Sequence, residues 1–438
     1  MRFPGQLFSR PNGPLIRSLA PLFASLLFAG HLAATPSGND PAARDGRWQE
    51  DIDFLAREFP AKEMDLFKLI PEDEFDRDVA RLKTEIPRLS DSEIVLQLMR
   101  ITARLGVGHA LVKLGSAQSI HMLHDYPVTM VWFSDGLAVV AAAPEYQEIL
   151  GARVIRIGSM TPAQAESAVT PYIAHENAAH LLAESPRYFA TVELMQHEKI
   201  ADADGHLQLT CAKVAGQEFT IDLAPPGAGK AKRKLVAALD VLPIPTTLRY
   251  KHRKAFYWQE YLADRQTLYI QLNNCHEQPG HPFKDFDQDL FAFADSHPVR
   301  RVILDLRSNK GGDPKMTNPL EDDFLARPAL TARGHLYVLV DRSTFSAAMD
   351  EAAYFRKHFQ AILVGEPPGN KPNHYGNAES FKLPNSKLEV EYSTRYVRKI
   401  RDADPLTLAP DIVVPYTLND FLAGCDSVLE TALHHPVQ

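Results

Sequence analysis

Cysteine is scarce in this chain. Among 438 residues only Cys211, Cys275 and Cys425 occur. They lie far apart and form no CxxC pair, so neither a disulfide framework nor a cysteine zinc site is indicated. Basic blocks are missing as well. Lys and Arg number 47 against 55 Asp and Glu, a formal charge of −8, which argues against nucleic acid as a partner. No apolar run reaches the roughly 20 residues that a membrane-spanning helix needs. The composition, 45% hydrophobic and 23% charged, is that of a globular protein, and the length calls for two or three domains.

The N-terminus is the first positive signal. Arg2, Arg10 and Arg17 precede the apolar stretch SLAPLFASLLFAGHLAA, which ends in small residues near Ala34 and runs into the helix-breaking TPSGNDPAARDG. A basic lead, a short apolar run and a small-residue exit read as a secretory signal peptide over 1–34. A secreted or periplasmic protein is expected, with no membrane contact beyond that peptide.

Residues 48–105 place apolar side chains at three- and four-residue intervals and predict helices, with SDSE as a capping-box start. From 126 the period changes. YPVTMVWFSDGLAVVAAAP predicts two strands about a Ser-Asp-Gly turn, GARVIRIGSM another strand, and TPAQAESAVTPYI a helix with Pro162 in its first turn. HLQLTCAKVAGQEFTIDLAPPGAGKAKRK predicts a hairpin leaving into a linker. Past about 240, apolar runs alternate with helical segments: TLYIQLN, RVILDL, HLYVLVD and AILVGE as strands, FKDFDQDLFAFADSH and a helix from Thr344 between them. That alternation predicts a largely parallel, covered sheet. Three polar turns, RSNKGGDP, RSTFS and EPPGNKPNHYGN, fall at the carboxyl ends of its strands, where such sheets carry their sites. The expected divisions are 35–118 helical, 119–235 β-rich and 236–438 a core.

Ser346 sits in the first turn of the helix in VLVDRSTFSAAMDEAAYF, off its apolar face. Backbone N–H groups are unpaired there, so a serine can attack a carbonyl while the N–H of Ala347 polarises the oxygen. Helix capping alone would also place a serine here, and GxSxG is absent. Gly311 and Gly312 let bare backbone approach a ligand and offer a second oxyanion donor. A serine also needs a proton acceptor, and His109 in GVGHAL and Lys371 in GNKPNHYG are the candidates. The stretches HENAAH (175–180) and HEQPGH (276–281) have the wrong spacing for HExxH: five helical steps turn the second histidine away from the first. Neither a metal nor another cofactor is therefore expected.

In combination, VILDLRSNKGG, YVLVDRSTFSAAMDEA and ILVGEPPGNKPNHYG resemble, in that order, the core of the C-terminal processing (tail-specific) serine peptidases. The resemblance covers roughly 250–438 well and 95–170 more loosely. It implies an α/β (α+β multidomain) chain with a crotonase-like ββα spiral protease core, a helical N-terminal part and a PDZ-like β-rich module over 119–235. Ser346 falls on the family's nucleophile, and Gly311 or Gly312 with Ala347 on its oxyanion hole. One branch of the family uses a lysine five residues after the Glu of Gly-Glu-Pro, which is Lys371. The tricorn-like branch uses a histidine, here His109, oriented by a downstream acid, here Asp402 or Asp404. The surroundings of Lys371 depart from the Gly-Lys-Gly type, which favours His109.

The implied function is a secreted serine-type peptidase acting on peptides or unfolded proteins, with an acid limb in its pH profile near 6–7 from the imidazole. The alternatives are a Ser–Lys dyad peptidase, a non-catalytic ligand- or peptide-binding module on the same fold, and an acyl-CoA enzyme of crotonase type.

Overall fold

The computed structural model describes residues 40–213, 216–227 and 234–436; the expected signal peptide and part of the expected linker lie outside them. The chain opens with helices α1 (Pro41–Lys62), α2 (Glu72–Glu85) and α3 (Asp91–Ala103). Their apolar spacing brings Trp48, Ile52, Leu55 and Phe59, then Phe75, Val79 and Leu82, then Ile94, Leu98 and Met99 into one core. Ser90 caps α3 as SDSE predicts: its side chain accepts from Glu93 N–H, and the Glu93 carboxylate accepts from Ser90 N–H at 2.7 Å.

A two-residue strand follows, β1 (Leu111–Val112). Strands β2 (Val128–Phe133), β3 (Gly136–Ala142), β4 (Arg153–Ile157), β5 (Leu207–Ala212) and β6 (Glu218–Leu223) then form an antiparallel sheet in sequential order, with β7 (Val236–Ala237) alongside β3. Helices α4 (Pro162–Val169) and α5 (Ala178–Phe189) separate β4 from β5. Pro162 occupies the first turn of α4, where its missing N–H costs nothing.

The second half holds the six-stranded sheet β15-β12-β11-β10-β9-β8. Its first members are β8 (Tyr257–Leu262) and β9 (Thr267–Leu272), an antiparallel hairpin. After α6 (Phe283–Ser296) comes β10 (Arg301–Asp305), and after α7 (Asn318–Leu325) comes β11 (Leu336–Val340). After α8 (Ala347–Phe359) comes β12 (Ile362–Gly365). β9 to β12 run parallel. The continuous apolar runs are explained by coverage of both faces. Side chains alternate across the sheet: Leu268, Ile270, Val302, Leu304, Val338 and Val340 pack with α6, α7 and α8, while Tyr269, Ile303, Tyr337 and Leu339 pack on the other face. That other face is covered by the last helix, α9 (Ser427–His434).

Between them lie β13 (Asn373–Lys382), β14 (Glu389–Arg398) and β15 (Ile412–Val413), the last parallel to β12. β13 and β14 form a long hairpin, and β14 pairs antiparallel with β1, Val390 opposite Val112. The segment NHYG, expected within a turn, is thus the start of a strand. Leu383, Leu388, Val390 and Phe421 join the core made by the N-terminal helices and the antiparallel sheet. One core thus draws on residues from all three of the expected divisions.

A buried ion triad ties α9 to the parallel sheet. Arg307, fully buried, donates to Asp305 and, through both terminal nitrogens, to Asp426 at 2.7 and 2.8 Å. Asp426 also caps α9 by accepting from Leu429 N–H. Deleting one partner of such a buried pair typically costs about 3–5 kcal/mol, because the remaining charge is stranded. The triad fixes the end of β10, from which the first site loop departs. No helix among the described residues is long and apolar enough to cross a membrane.

Candidate active site

Three loops leave the carboxyl ends of β10, β11 and β12 and meet at one place. The β11 loop is held by its own polar residues. The Asp341 carboxylate accepts from Ser308 N–H and Ser343 N–H at 3.0 Å each, and the buried Thr344 hydroxyl donates to Leu306 C=O at 3.0 Å. The helix expected from Thr344 begins instead at Ala347, because Ser346 stands at φ 54°, ψ −127°, outside the helical region. A non-glycine residue at positive φ costs roughly 1–2 kcal/mol, and here a hydrogen bond holds it: Ser346 N–H donates to Asn370 Oδ1. Ser346 therefore projects from the N-cap of α8.

The turn after α3 meets it. His109 Nε2 lies 3.1 Å from Ser346 Oγ, although the two are 237 residues apart in the chain. The ring is 5% exposed and stacks on Phe345 at 4.7 Å between centroids. Phe345 in turn packs against His180 of α5 at 4.4 Å. Burial pushes the His109 pKa down to about 3, the His374 ring adds to this, and the Tyr375 backbone opposes it. The imidazole is neutral at ordinary pH, and no well-formed hydrogen bond reaches its buried Nδ1.

Gly311, at φ +91°, lies directly against the serine. A Cβ there would meet Ser346 Cβ at 2.7 Å and Ala347 N at 2.8 Å. Its own N–H is already donated to Asn309 Oδ1 at 2.8 Å, which removes it as a free donor. Among the described residues, the N–H groups of Gly312 and Ala347 have no acceptor. Ala347 is the first residue of α8, where the helix dipole adds positive character.

The other sequence candidates are placed elsewhere. Lys371 Nζ pairs with Asp404 Oδ2 at 3.0 Å, and no hydrogen bond joins it to Ser346. Asp404 is therefore engaged by the lysine, with its pKa lowered by that hydrogen bond, and does not contact His109. Asp402 is exposed and makes no contact with the imidazole. The acid expected to orient His109 is thus found at neither position, because the 400–404 segment turns its carboxylates outward.

Sequence reasoning passed over Asn370, His180 and Glu176. The last two lie within HENAAH, weighed there only as a zinc motif. α5 starts at Ala178 with Asn177 as its cap, so His175 is not on the helix at all. Glu176 Oε2 instead accepts from Asn370 Nδ2 and Lys371 N–H. Among the described residues no cluster of three or more His, Cys, Asp or Glu is placed to hold a metal.

No family model matches this sequence, and no curated protein does either. Among solved structures, mature CPAF matches with a TM-score of 0.60 and 12% identity, over 90% of this chain and 99% of that one. The chain shares its fold with mature CPAF. The CPAF complex with lactacystin gives the same values. The photosystem II D1 C-terminal processing protease is more distant, with a TM-score of 0.41 and 12% identity over 87% of this chain and 98% of its own. At 12% identity the likeness to CPAF is one of architecture, and the chemistry has to be argued from the side chains.

Proposed function

We propose that this protein is a serine peptidase of the C-terminal processing type, with Ser346 as nucleophile and His109 as general base. The observation that carries the reading is the 3.1 Å approach of His109 Nε2 to Ser346 Oγ at the N-terminus of a helix. The CPAF-like fold and the order of the three sequence motifs support it. A crotonase-like core and a PDZ-like module, implied by the sequence resemblance, are part of the same proposal.

In this mechanism Ser346 Oγ attacks the scissile carbonyl carbon while Nε2 takes the hydroxyl proton. Negative charge develops on the carbonyl oxygen, facing the N–H groups of Ala347 and Gly312. The imidazolium then protonates the leaving amine, and water, activated by the same nitrogen, hydrolyses the acyl-enzyme. A ring this buried is a weak base in the resting site. Its protonation is favoured at the moment of reaction by the oxyanion charge forming nearby in a water-poor environment, where Coulomb attraction is strong. The substrates are peptides or unfolded proteins.

A fluorophosphonate probe tests the assignment. Ser346 Oγ should displace fluoride and carry the phosphonyl group in the wild type, located by mass spectrometry, and Ser346→Ala should remain unlabelled. A wild type that never labels and cleaves no unfolded protein would move the reading to a binding protein on the same fold. We also place the protein outside the cytosol, on the basic and apolar N-terminal pattern. Sequencing of the protein from its native host should find a start between about 33 and 40; a start at Met1 would overturn this.

A further inference from the structure

Glu176 joins the turn of His109 to the loop after β12, yet the chemistry proposed above does not use it. It lies just before the cap of α5, and three donors converge on its carboxylate. Gly108 N–H reaches Oε1 at 3.3 Å, while Asn370 Nδ2 and Lys371 N–H reach Oε2 at 3.0 Å each. Gly108 immediately precedes His109. Asn370, fully buried, passes the connection on: with Nδ2 committed to Glu176, its Oδ1 faces Ser346 N–H and accepts from it. That bond holds Ser346 at positive φ and occupies its N–H, leaving the N–H of Ala347 as the free donor behind the hydroxyl.

Resting on the assignment of Ser346 and His109, we propose that Glu176, acting through Asn370, is the positioning residue that holds nucleophile and base in register. It takes the part expected of an acid behind the imidazole, but it grips the backbone on either side of the pair instead of the ring itself.

The chemistry of a carboxyl group makes this clamp dependent on protonation. The ionised form is acceptor-only and takes N–H donors on both oxygens at once, whereas the protonated form must also place an O–H donor. A proton on either oxygen sets an O–H against the Gly108 donor or against the Asn370 and Lys371 pair, so Asn370 is no longer held with its Oδ1 toward Ser346 N–H. Burial raises the Glu176 pKa to about 7, against the opposing hydrogen bonds from Asn370, Lys371 and Gly108 and the Lys371 charge. On the β12 loop Lys371 is paired with Asp404, and Glu366 with Arg342 of the β11 loop. His175 adjoins Glu176 on its own segment. His180 on α5 has Glu184, itself paired with Lys310, nearby. His109, His180 and His374 are held neutral by burial down to about 3, 3 and 4.

The test reads the serine directly. In protein labelled with 15N-serine, the Ser346 amide is identified by its loss in Ser346→Ala. Its chemical shift should titrate with a midpoint near pH 7, and that titration should vanish in Glu176→Gln and move in Glu176→Asp. Fluorophosphonate labelling of the wild type should rise through the same midpoint. In folded Glu176→Gln it should be flat with pH and about 10²-fold slower, the scale of a small misplacement of reacting groups. If Glu176→Gln does not fold, Asn370→Ala makes the same comparison and should also lose the amide titration. A Ser346 titration that persists in these variants overturns the clamp, whether or not the protein labels. A wild type that never labels, but whose Ser346 amide titrates through Glu176, overturns the peptidase assignment and keeps the clamp.

Discussion

His109→Ala should lower kcat by a factor on the order of 10³ or more, the scale of losing the base of a serine–histidine pair. The loss should fall on kcat and kcat/KM together, because the proton is transferred only in the transition state. Lys371→Ala should change kcat little and act mainly through KM: its ammonium is spent on Asp404, and it reaches the site through backbone groups that the substitution keeps. Steady-state hydrolysis of a fluorogenic unfolded substrate by the two variants decides between the bases. A dead Lys371→Ala beside an active His109→Ala would transfer the reaction to a Ser–Lys dyad.

The pH profile expected from sequence also changes. An imidazole near its ordinary pKa would place the acid limb at 6–7, but burial holds His109 down at about 3. The ring therefore stays neutral, and able to accept a proton, across that range, so the limb expected near pH 7 belongs to Glu176 and not to the imidazole. For stability the sign is the reverse of a histidine that gains a partner. The unfolded ring takes up its proton near 6.5 and the folded one does not, so this group destabilises the fold progressively as pH falls below about 6.5.

Gly311→Ala should lower kcat by about 10²–10³-fold, comparable to removing an oxyanion donor. The added methyl would stand 2.7 Å from Ser346 Cβ and 2.8 Å from Ala347 N, and both neighbours are backbone-anchored. Either the glycine turn or the nucleophile turn has to move, and the space for the carbonyl oxygen moves with it. Gly280→Ala separates backbone strain from crowding: Gly280 also has a positive φ, +77°, but nothing lies within 4 Å of its would-be Cβ. That variant should lose some stability and keep wild-type turnover. Equal turnover for both variants would mean that Gly311 does not border the reacting atoms.

The parallel sheet was legible because its strands are buried on both faces, so Leu336–Val340 reads as an unbroken apolar run and Thr267–Leu272 as one interrupted only by Thr267 and Gln271. The loops at its carboxyl ends, with Ser346 among them, and His109 in the turn after α3 stood out by residue type and place. What could not be read is what depends on partners remote in sequence. The two-residue strand Leu111–Val112 has no pattern of its own, and it exists because β14 arrives beside it. The helix start at Ala347 follows from the Asn370 contact to Ser346, which no local propensity encodes. Asp404 stands where an acid was sought, yet Lys371 captures it. Glu176 is a single acid in a stretch whose histidines drew attention to metal.

The pairing of β1 with β14 also sets an order in time. The turn that carries His109 is followed at once by β1, and β1 acquires its partner only when residues 389–398 exist to pair with it. Nearly the whole chain must therefore leave the ribosome before imidazole and hydroxyl can meet. At synthesis rates of about 5–20 residues per second, that delay is on the order of tens of seconds. Joining such distant segments also adds loop-closure entropy to the folding barrier. Until Ser346 is made the nascent chain carries the base without its serine, and afterwards the two stay apart until β14 follows.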